Sequence, residues 1–435
     1  LIVPPPLCHV PAALAGEAKS WGVTAQLYSL RSARNWGMGD YGDLAALAAL
    51  AAGRGAAVVG INPLHALFPA EPRHISPYSP SSRLFLNALY LDIAAMPDLA
   101  DAESARTRIA APEFAAALAA ARDAALIDHV AVAALKQPVL RLVYQSFAAR
   151  HLAPDGGAGT ARGAAFREFQ QAGGTELEDF GRFNALHATM WRRGQFSWRD
   201  WPGELGDARS REVASFAAAH RAEIDYHHYL EWEGRRQLDA ARGGLRVGLY
   251  RDLAVGVDPS GADAWAEPRL FCNAAAIGAP PDLLNLKGQD WGLAPLNPVM
   301  LRRAAYRPFI AALRANMRHA GMLRIDHAMM LKQLYWVPRG APPSEGAYVG
   351  YPFADLLGIL ALESARNRCA VIGEDLGTVP PGFSEILNDA GVLSYRLLLF
   401  ERTEDGGFLP PKAYPRPAAA AFSTHDIATL KGFWL

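Results

Sequence analysis

Short apolar runs, each ending in a polar or Gly/Pro-rich loop and separated by helical stretches, set the terms on which this chain can fold. The β-type runs are VTAQLYSL (23–30), AAVVGINPLHAL (56–67), LRVGLYRDLAV (245–255), GMLRIDH (321–327), CAVIGED (369–375), VLSYRLLLF (392–400) and AAFSTHD (420–426). Helical patterns such as 43–55 and 352–368 lie between most of them. Strands joined through crossover helices run parallel, so the expected class is α/β with a parallel sheet. Seven such strands, with reactive side chains gathered at their C-terminal ends, favour a (β/α)8 TIM barrel over an open doubly wound sheet. The open sheet lacks its phosphate loop here. The nearest candidate, NWGMGDYGD (35–43), carries Asp40 and Asp43, which would repel a phosphate, and reads as a turn that caps the next helix.

Between 97 and 244 the pattern turns Ala/Leu-rich and helical throughout, apart from a linker-like APDGGAGTARG. A structureless loop of that length inside a domain is implausible, so this stretch is expected to be a helical insertion between two barrel strands. Residues 1–20, with their Pro-rich LIVPPPLCHVP, read as an extended lead-in from a preceding region. The catalytic barrel is then 21–435. The chain stops just beyond its seventh strand, so the last βα unit is expected to be missing and one barrel edge to be unpaired.

Composition excludes several partners. Lys+Arg and Asp+Glu are 43 each, giving zero formal net charge, whereas nucleic acid or an anionic membrane surface calls for a basic field. No apolar run is long enough to span a bilayer, and no secretory signal is read. Cys8, Cys272 and Cys369 are far apart in the chain, which suggests a reducing, cytoplasmic compartment without disulfides or zinc.

The segment MLRIDHAMM (322–330) sets Arg324, Asp326 and His327 inside an apolar run. Alternate strand residues share a face, so Arg324 and Asp326 project together, and a guanidinium there keeps the carboxylate anionic. A structural ion pair would look the same. VIGEDLG (371–377) ends a strand on Glu374 and Asp375. Apolar shielding would raise a carboxyl there and suit Glu374 to general-acid work, while Asp375 fits a helix cap better. FSTHD (422–426) adds His425 and Asp426. Taken alone, that dipeptide is an ordinary loop pair. A 2-His-carboxylate metal site could be drawn from His327, Glu374, Asp375, His425 and Asp426. No HxH or HxxxH spacing supports it and Arg324 opposes a cation, so neither metal nor cofactor is expected. No G-x-S-x-G elbow indicates a serine nucleophile. Two carboxylates with separated pKa values are the equipment for cleaving a glycosidic bond: one attacks the anomeric carbon, the other protonates the leaving oxygen.

LRIDH, GEDLG and STHD, in that order, resemble the three catalytic segments of the α-amylase clan. Longer stretches are most similar to the 4-α-glucanotransferases of glycoside hydrolase family 77, the amylomaltases or disproportionating enzymes. They are WGVTAQLYSLRSARNWGMGDYGDL (21–44), INPLHALFPAEPRHISPYSPSSRLFLNALYLD (61–92), LYRDLAVGVDPSGADAWAEPRLF (249–271) and NLKGQDWGLAPLNP (285–298). The resemblance implies Asp326 as nucleophile, Glu374 as acid/base and Asp426 as the third carboxylate. It implies sugar contacts from Tyr78, Asp252, Gln289 and Trp291, with Arg324 and His425 flanking the reacting sugar. The residues alone leave Asp252 open as a salt-bridge partner of Arg324, Tyr78 as a packed aromatic and Trp291 as a loop anchor. The implied activity is retaining transfer of an α-1,4-glucan segment to the 4-hydroxyl of a glucose or maltooligosaccharide. The expected partners are maltooligosaccharides, amylose or similar α-1,4-glucans. A plain α-glucan hydrolase and an inactive, truncated glucan-binding fragment are the alternatives. Two departures bear on them: the family continues well past THD, and Ile427 and Ala428 follow where its members carry an LPTL-like run.

Overall fold

A computed structural model describes residues 2–16, 19–153, 156–282 and 285–434. Its strands, in chain order, are β1 (Gly22–Ala25), β2 (Val58–Ile61), β3 (His65–Ala66), β4 (Ser82–Leu86), β5 (Gly248–Leu253), β6 (Ala275–Ala279), β7 (Gln289–Leu293), β8 (Met322–Ile325), β9 (Gln333–Pro338), β10 (Ala347–Gly350), β11 (Ala370–Gly373), β12 (Leu393–Leu397) and β13 (Ala418–Ala421). Seven of these form one sheet in the order β1-β2-β5-β8-β11-β12-β13, every neighbouring pair parallel. Each successive strand adds on the same side, as in a (β/α) barrel. Among the described residues β1 pairs only with β2 and β13 only with β12, so the curled sheet is not closed.

The two faces of the sheet separate by residue parity. Leu253, Leu323, Ile325 and Val371 pack outward with Phe309, Leu313, Met317, Ile359 and Leu360 of two flanking helices, Arg307–Met317 and Phe353–Asn367. Inward, Tyr250, Met322, Ala370, Ile372, Tyr395 and Leu397 form a second cluster. Arg324 therefore lies on the inner face, level with Asp252 on one side and Ile372 on the other.

The strands are shorter than their apolar runs suggest, for local reasons. VTAQLYSL leaves the sheet at Ala25, and its Leu27 N–H donates to Asn62 Oδ1 at 2.7 Å from within a 3-10 turn (Leu27–Ser29). AAVVGINPLHAL is cut at Pro63, which lacks an N–H for the ladder. Its tail, β3, pairs antiparallel with β4 in a separate hairpin. AAFSTHD is displaced most. Its strand occupies Ala418–Ala421, so His425 and Asp426 sit in the loop beyond the strand and not at its end.

The turn at 35–43 caps α1 (Tyr41–Gly53) as its acids suggest. Asp40 accepts from Gly42 N and Asp43 N, and Asp43 returns a bond to the Asp40 backbone. Arg34 ties Asp40, Asp43 and Asp92 together. Between β4 and β5 run α2 (Glu103–Ala110), α3 (Pro112–Asp123), α4 (His129–His151), α5 (Ala161–Trp191), α6 (Arg211–Ala219) and α7 (Arg221–Ala240). Pro154 and Asp155 of the linker-like stretch lie outside the described residues, and its Thr160 N-caps α5. The buried Lys136 of α4 docks this layer by donating to Leu89 O at 2.7 Å and Leu91 O at 2.9 Å. The lead-in is stitched to the barrel as well. Cys8 N–H donates to Ala390 O (2.8 Å), His9 N–H to Ser364 Oγ (2.8 Å), and Leu14 packs against the inner cluster.

One element has no counterpart in the sequence reading: an antiparallel sheet in the order β10-β9-β6-β7. Three of its strands, AAIGA, QDWGL and AYVG, lack the β-branched alternation that announces a strand.

Candidate active site

Parallel register brings the reactive groups together. Ile325 of β8 is level with Gly373 of β11, so the next residues, Asp326 and Glu374, emerge side by side at the C-terminal rim. The backbone fixes both: Asp326 N–H donates to Leu253 O at 3.0 Å, and Glu374 N–H to Ile325 O at 3.1 Å.

Arg324 is almost fully buried and its Nη1 contacts Asp252 Oδ1 and Asp326 Oδ1, each at 2.8 Å. Asp252 is thus an ion-pair partner of Arg324. Burial works against the guanidinium charge, yet Asp252 and Asp326 outweigh it and push the Arg324 pKa well above its ordinary value. Tyr78 donates its hydroxyl to Asp252 Oδ2 at 2.8 Å, completing a line Tyr78–Asp252–Arg324–Asp326. The Arg324 guanidinium also lies 5.4 Å from the centre of the Tyr395 ring.

Glu374 is held differently. Its Oε2 accepts from His327 N–H at 2.8 Å and its Oε1 from Leu376 N–H at 3.0 Å. The first bond depends on His327 adopting a left-handed backbone (φ 49°), uncommon for a non-glycine residue and often found at functional sites. Burial pushes the Glu374 carboxyl up to about 7, with Arg324 pulling it down and Asp326 pushing it up. Burial, and then the Arg324 charge, lower His327 to about 4, so its ring is neutral at pH 7. Two neighbouring carboxylates therefore have unlike surroundings, one salt-bridged and one protonatable.

The remaining predicted residues attach at the margins. The Trp291 ring meets His327 edge-on at 5.3 Å, and its Nε1 donates to Gln289 Oε1 at 2.9 Å, both residues belonging to β7. His425 stacks on Tyr78 with ring centres 3.8 Å apart and planes 11° from parallel. Asp426 contacts His425 Nε2 at 3.1 Å and is largely exposed, so it joins the group only through His425. The capping reading of Asp375 is overturned. The helix Phe383–Asp389 has no side-chain cap, and Asp375 instead accepts from Tyr395 N–H (3.0 Å) and Ser384 Oγ (2.7 Å). It locks β11 to β12 behind Glu374. Sequence reasoning passed over Tyr250 and Tyr395, whose strand parity alone would have put them on the inner face. It also missed the His327 backbone, which no residue pattern announces.

Among the described residues no group of three or more His, Cys, Asp and Glu side chains could hold a metal ion. A cavity of about 530 Å3 lies away from this centre, lined by hairpin and helical residues such as Phe68, Trp191 and Tyr226 and by none of the groups above.

Residues 25–435 match the family described as 4-alpha-glucanotransferase. The chain belongs to that family. A 4-alpha-glucanotransferase of Haemophilus influenzae is 40% identical over all of this chain and 63% of its own length. One from Mycobacterium tuberculosis is 38% identical over all of this chain and 60% of its own. The chain thus spans about three-fifths of the length of these relatives. The crystal structure of a Corynebacterium glutamicum amylomaltase superposes with a TM-score of 0.81 at 33% identity, covering 95% of this chain and 56% of that one. A Streptococcus agalactiae amylomaltase in complex with acarbose gives 0.75 at 18% identity, over 94% and 80%, and speaks for the fold alone.

Proposed function

We propose that this chain is a retaining 4-α-glucanotransferase acting on α-1,4-glucans, with maltooligosaccharides and amylose as donors and acceptors. The observation that carries the reading is the pairing of a carboxylate salt-bridged to a buried arginine, Asp326, with a neighbouring carboxyl raised by burial, Glu374. Asp326 attacks C1 of the donor while Glu374 gives its proton to the departing glycosidic oxygen, leaving a glycosyl–enzyme ester. Glu374, now a carboxylate, takes the proton of the acceptor 4-hydroxyl as that oxygen attacks C1 and frees Asp326. Arg324 stabilises the anionic Asp326 before attack and after release. Tyr78 and His425 offer aromatic faces to the reacting sugar, Asp252 and Asp426 offer acceptors to its hydroxyls, and Gln289 and Trp291 border it from β7. Transfer prevails over hydrolysis where the acceptor sugar is held close and water is kept out.

For the organisation of the chain, the reading is one catalytic unit, 21–435, interrupted by 97–244 and led into by 1–20. The packing of Cys8 and Leu14 into its clusters supports that continuity. Among the described residues no helix is long and apolar enough to cross a membrane. The three free cysteines support a reducing, cytoplasmic setting.

Incubation with maltotriose, followed by chromatography, tests the activity. Glucose together with both shorter and longer maltooligosaccharides is the expected product set. Shorter products alone would make the chain a hydrolase, and unchanged maltotriose that nevertheless binds would make it a binding fragment. An Asp326→Asn variant that kept normal turnover would exclude the mechanism.

A further inference from the structure

The hairpin that carries Tyr78 is pinned at its base. β3 and β4 flank the loop 67–81, and each sends one buried side chain to the backbone of the same residue, Ala254, just beyond β5. His65 Nε2 accepts from Ala254 N–H at 3.2 Å. Arg83 Nη1 donates to Ala254 O at 2.8 Å and to Val255 O at 3.0 Å. Ala254 lies two residues beyond Asp252, the residue that Tyr78 reaches from the hairpin tip. Arg83 is held in turn from both sides: its N–H donates to Asp263 Oδ2 (3.0 Å), and its carbonyl accepts from Asn316 Nδ2 (2.9 Å).

We infer that His65 and Arg83 are positioning residues, which clamp the base of the Tyr78 hairpin to the end of β5 and so set the Tyr78–Asp252–Arg324–Asp326 line. The chemistry of His65 fits a fixed acceptor. Burial, reinforced by the charges of Arg251 and Arg83, keeps its pKa well below the ordinary range, so the ring is neutral. A neutral ring that accepts at Nε2 carries its proton on Nδ1, and Nδ1 has no hydrogen-bond partner among the described residues. One nitrogen is thus committed to Ala254, and the other has no partner among the described residues. Arg83 holds the carbonyl on the other side of the same residue, so Ala254 is gripped at its N–H and its C=O, in the two successive peptides that flank it. A displacement of about 1 Å in a positioning group can cost about 100-fold in rate, which is the scale on which such a clamp matters.

This inference rests on the transferase reading for its kinetic arm and on geometry alone for its structural arm. His65→Leu removes the acceptor, while His65→Gln can restore one near Nε2. In maltotriose disproportionation, H65L is expected to lower kcat about 10- to 100-fold with KM changed less than about twofold, and H65Q to recover most of the loss. The Tyr78→Phe background separates positioning from general damage. Because His65 acts through Tyr78 and Asp252, adding H65L to Y78F is expected to cost no more than about a further twofold. Full, additive losses in the double variant would overturn the clamp, and so would an H65L enzyme with wild-type kcat. The crystal structure of H65L supplies the second arm: the Tyr78 hydroxyl is expected to part from Asp252, and an unchanged contact overturns the inference. If the wild-type chain moves no glucan at all, the transferase reading fails by itself, and the H65L structure still decides the clamp.

Discussion

Glu374 is the side chain on which pH should act most visibly. In the proposed mechanism the donor half-reaction needs its protonated form, so kcat/KM for maltotriose is expected to hold up to about pH 7 and to fall above it. The same shift has a stability sign. A carboxyl raised from 4.5 to about 7 on folding binds more protons in the native state between those values, so stability falls as pH rises through that window. Glu374→Gln should therefore lose about 100- to 10,000-fold in kcat while flattening the decline of Tm between pH 5 and 8 in thermal melts. Arg324 gives the converse case. Replacing it by methionine leaves Asp252 and Asp326 facing each other without a cation, a change expected to cost about 3–5 kcal/mol in urea unfolding as well as abolishing transfer. The Arg324–Asp326 pair was legible in the sequence because strand parity and an apolar context were both visible in nine residues. The second pair, Arg324–Asp252, was open as one of two readings. The backbone bonds that aim Glu374 were not legible, since they depend on a positive φ at His327, a conformation uncommon for any non-glycine residue and marked by no pattern in the sequence.

At the scale of elements, the core of each barrel strand was readable and its ends were not. Hydrophobic alternation marks the stretch that packs, but the exit from the ladder is set by single polar contacts such as Leu27 N–H to Asn62. His425 and Asp426 moved off their predicted strand for a related reason. The four alanines of β13 carry little strand signal, so the more apolar-looking AAFS drew the assignment forward. The antiparallel sheet bearing Gln289 and Trp291 escaped because three of its strands, β6, β7 and β10, are short and glycine-containing, and because the β6–β9 pairing that unites it joins segments far apart in the chain. Helix signals fared better. The Asp40–Asp43 capping box is a local arrangement, and local arrangements survive in sequence. Asp40→Ala is expected to lower stability by about 1–2 kcal/mol in denaturant titrations. Asp40 stands outside the Tyr78–Asp252–Arg324–Asp326 line, so maltotriose turnover by the folded variant should stay near wild type.

For the whole molecule, balanced charge and the uncharged glucan proposed as substrate make a joint prediction. Encounter between them gains nothing from electrostatic steering, and Arg324, Asp252 and Glu374 are buried beyond effective screening. The initial rate on maltotriose should change by less than about twofold between 0.05 and 0.5 M salt, whereas a strong salt dependence would point to an exposed ion pair governing turnover. The parallel order of the sheet also bears on when this centre comes into existence. Asp252, Arg324 and Glu374 sit on three neighbouring strands that the chain can bring together only after long crossovers, so their contacts belong to the slow, non-local part of folding. Until β5 and β8 have met, Arg324 lacks Asp252 and keeps only its near neighbour Asp326, and a collapsed chain that buries it early is penalised for an incompletely compensated charge. The Arg324–Asp252 pair thus also acts as a checkpoint on assembly, discouraging compact states in which β5 and β8 are out of register.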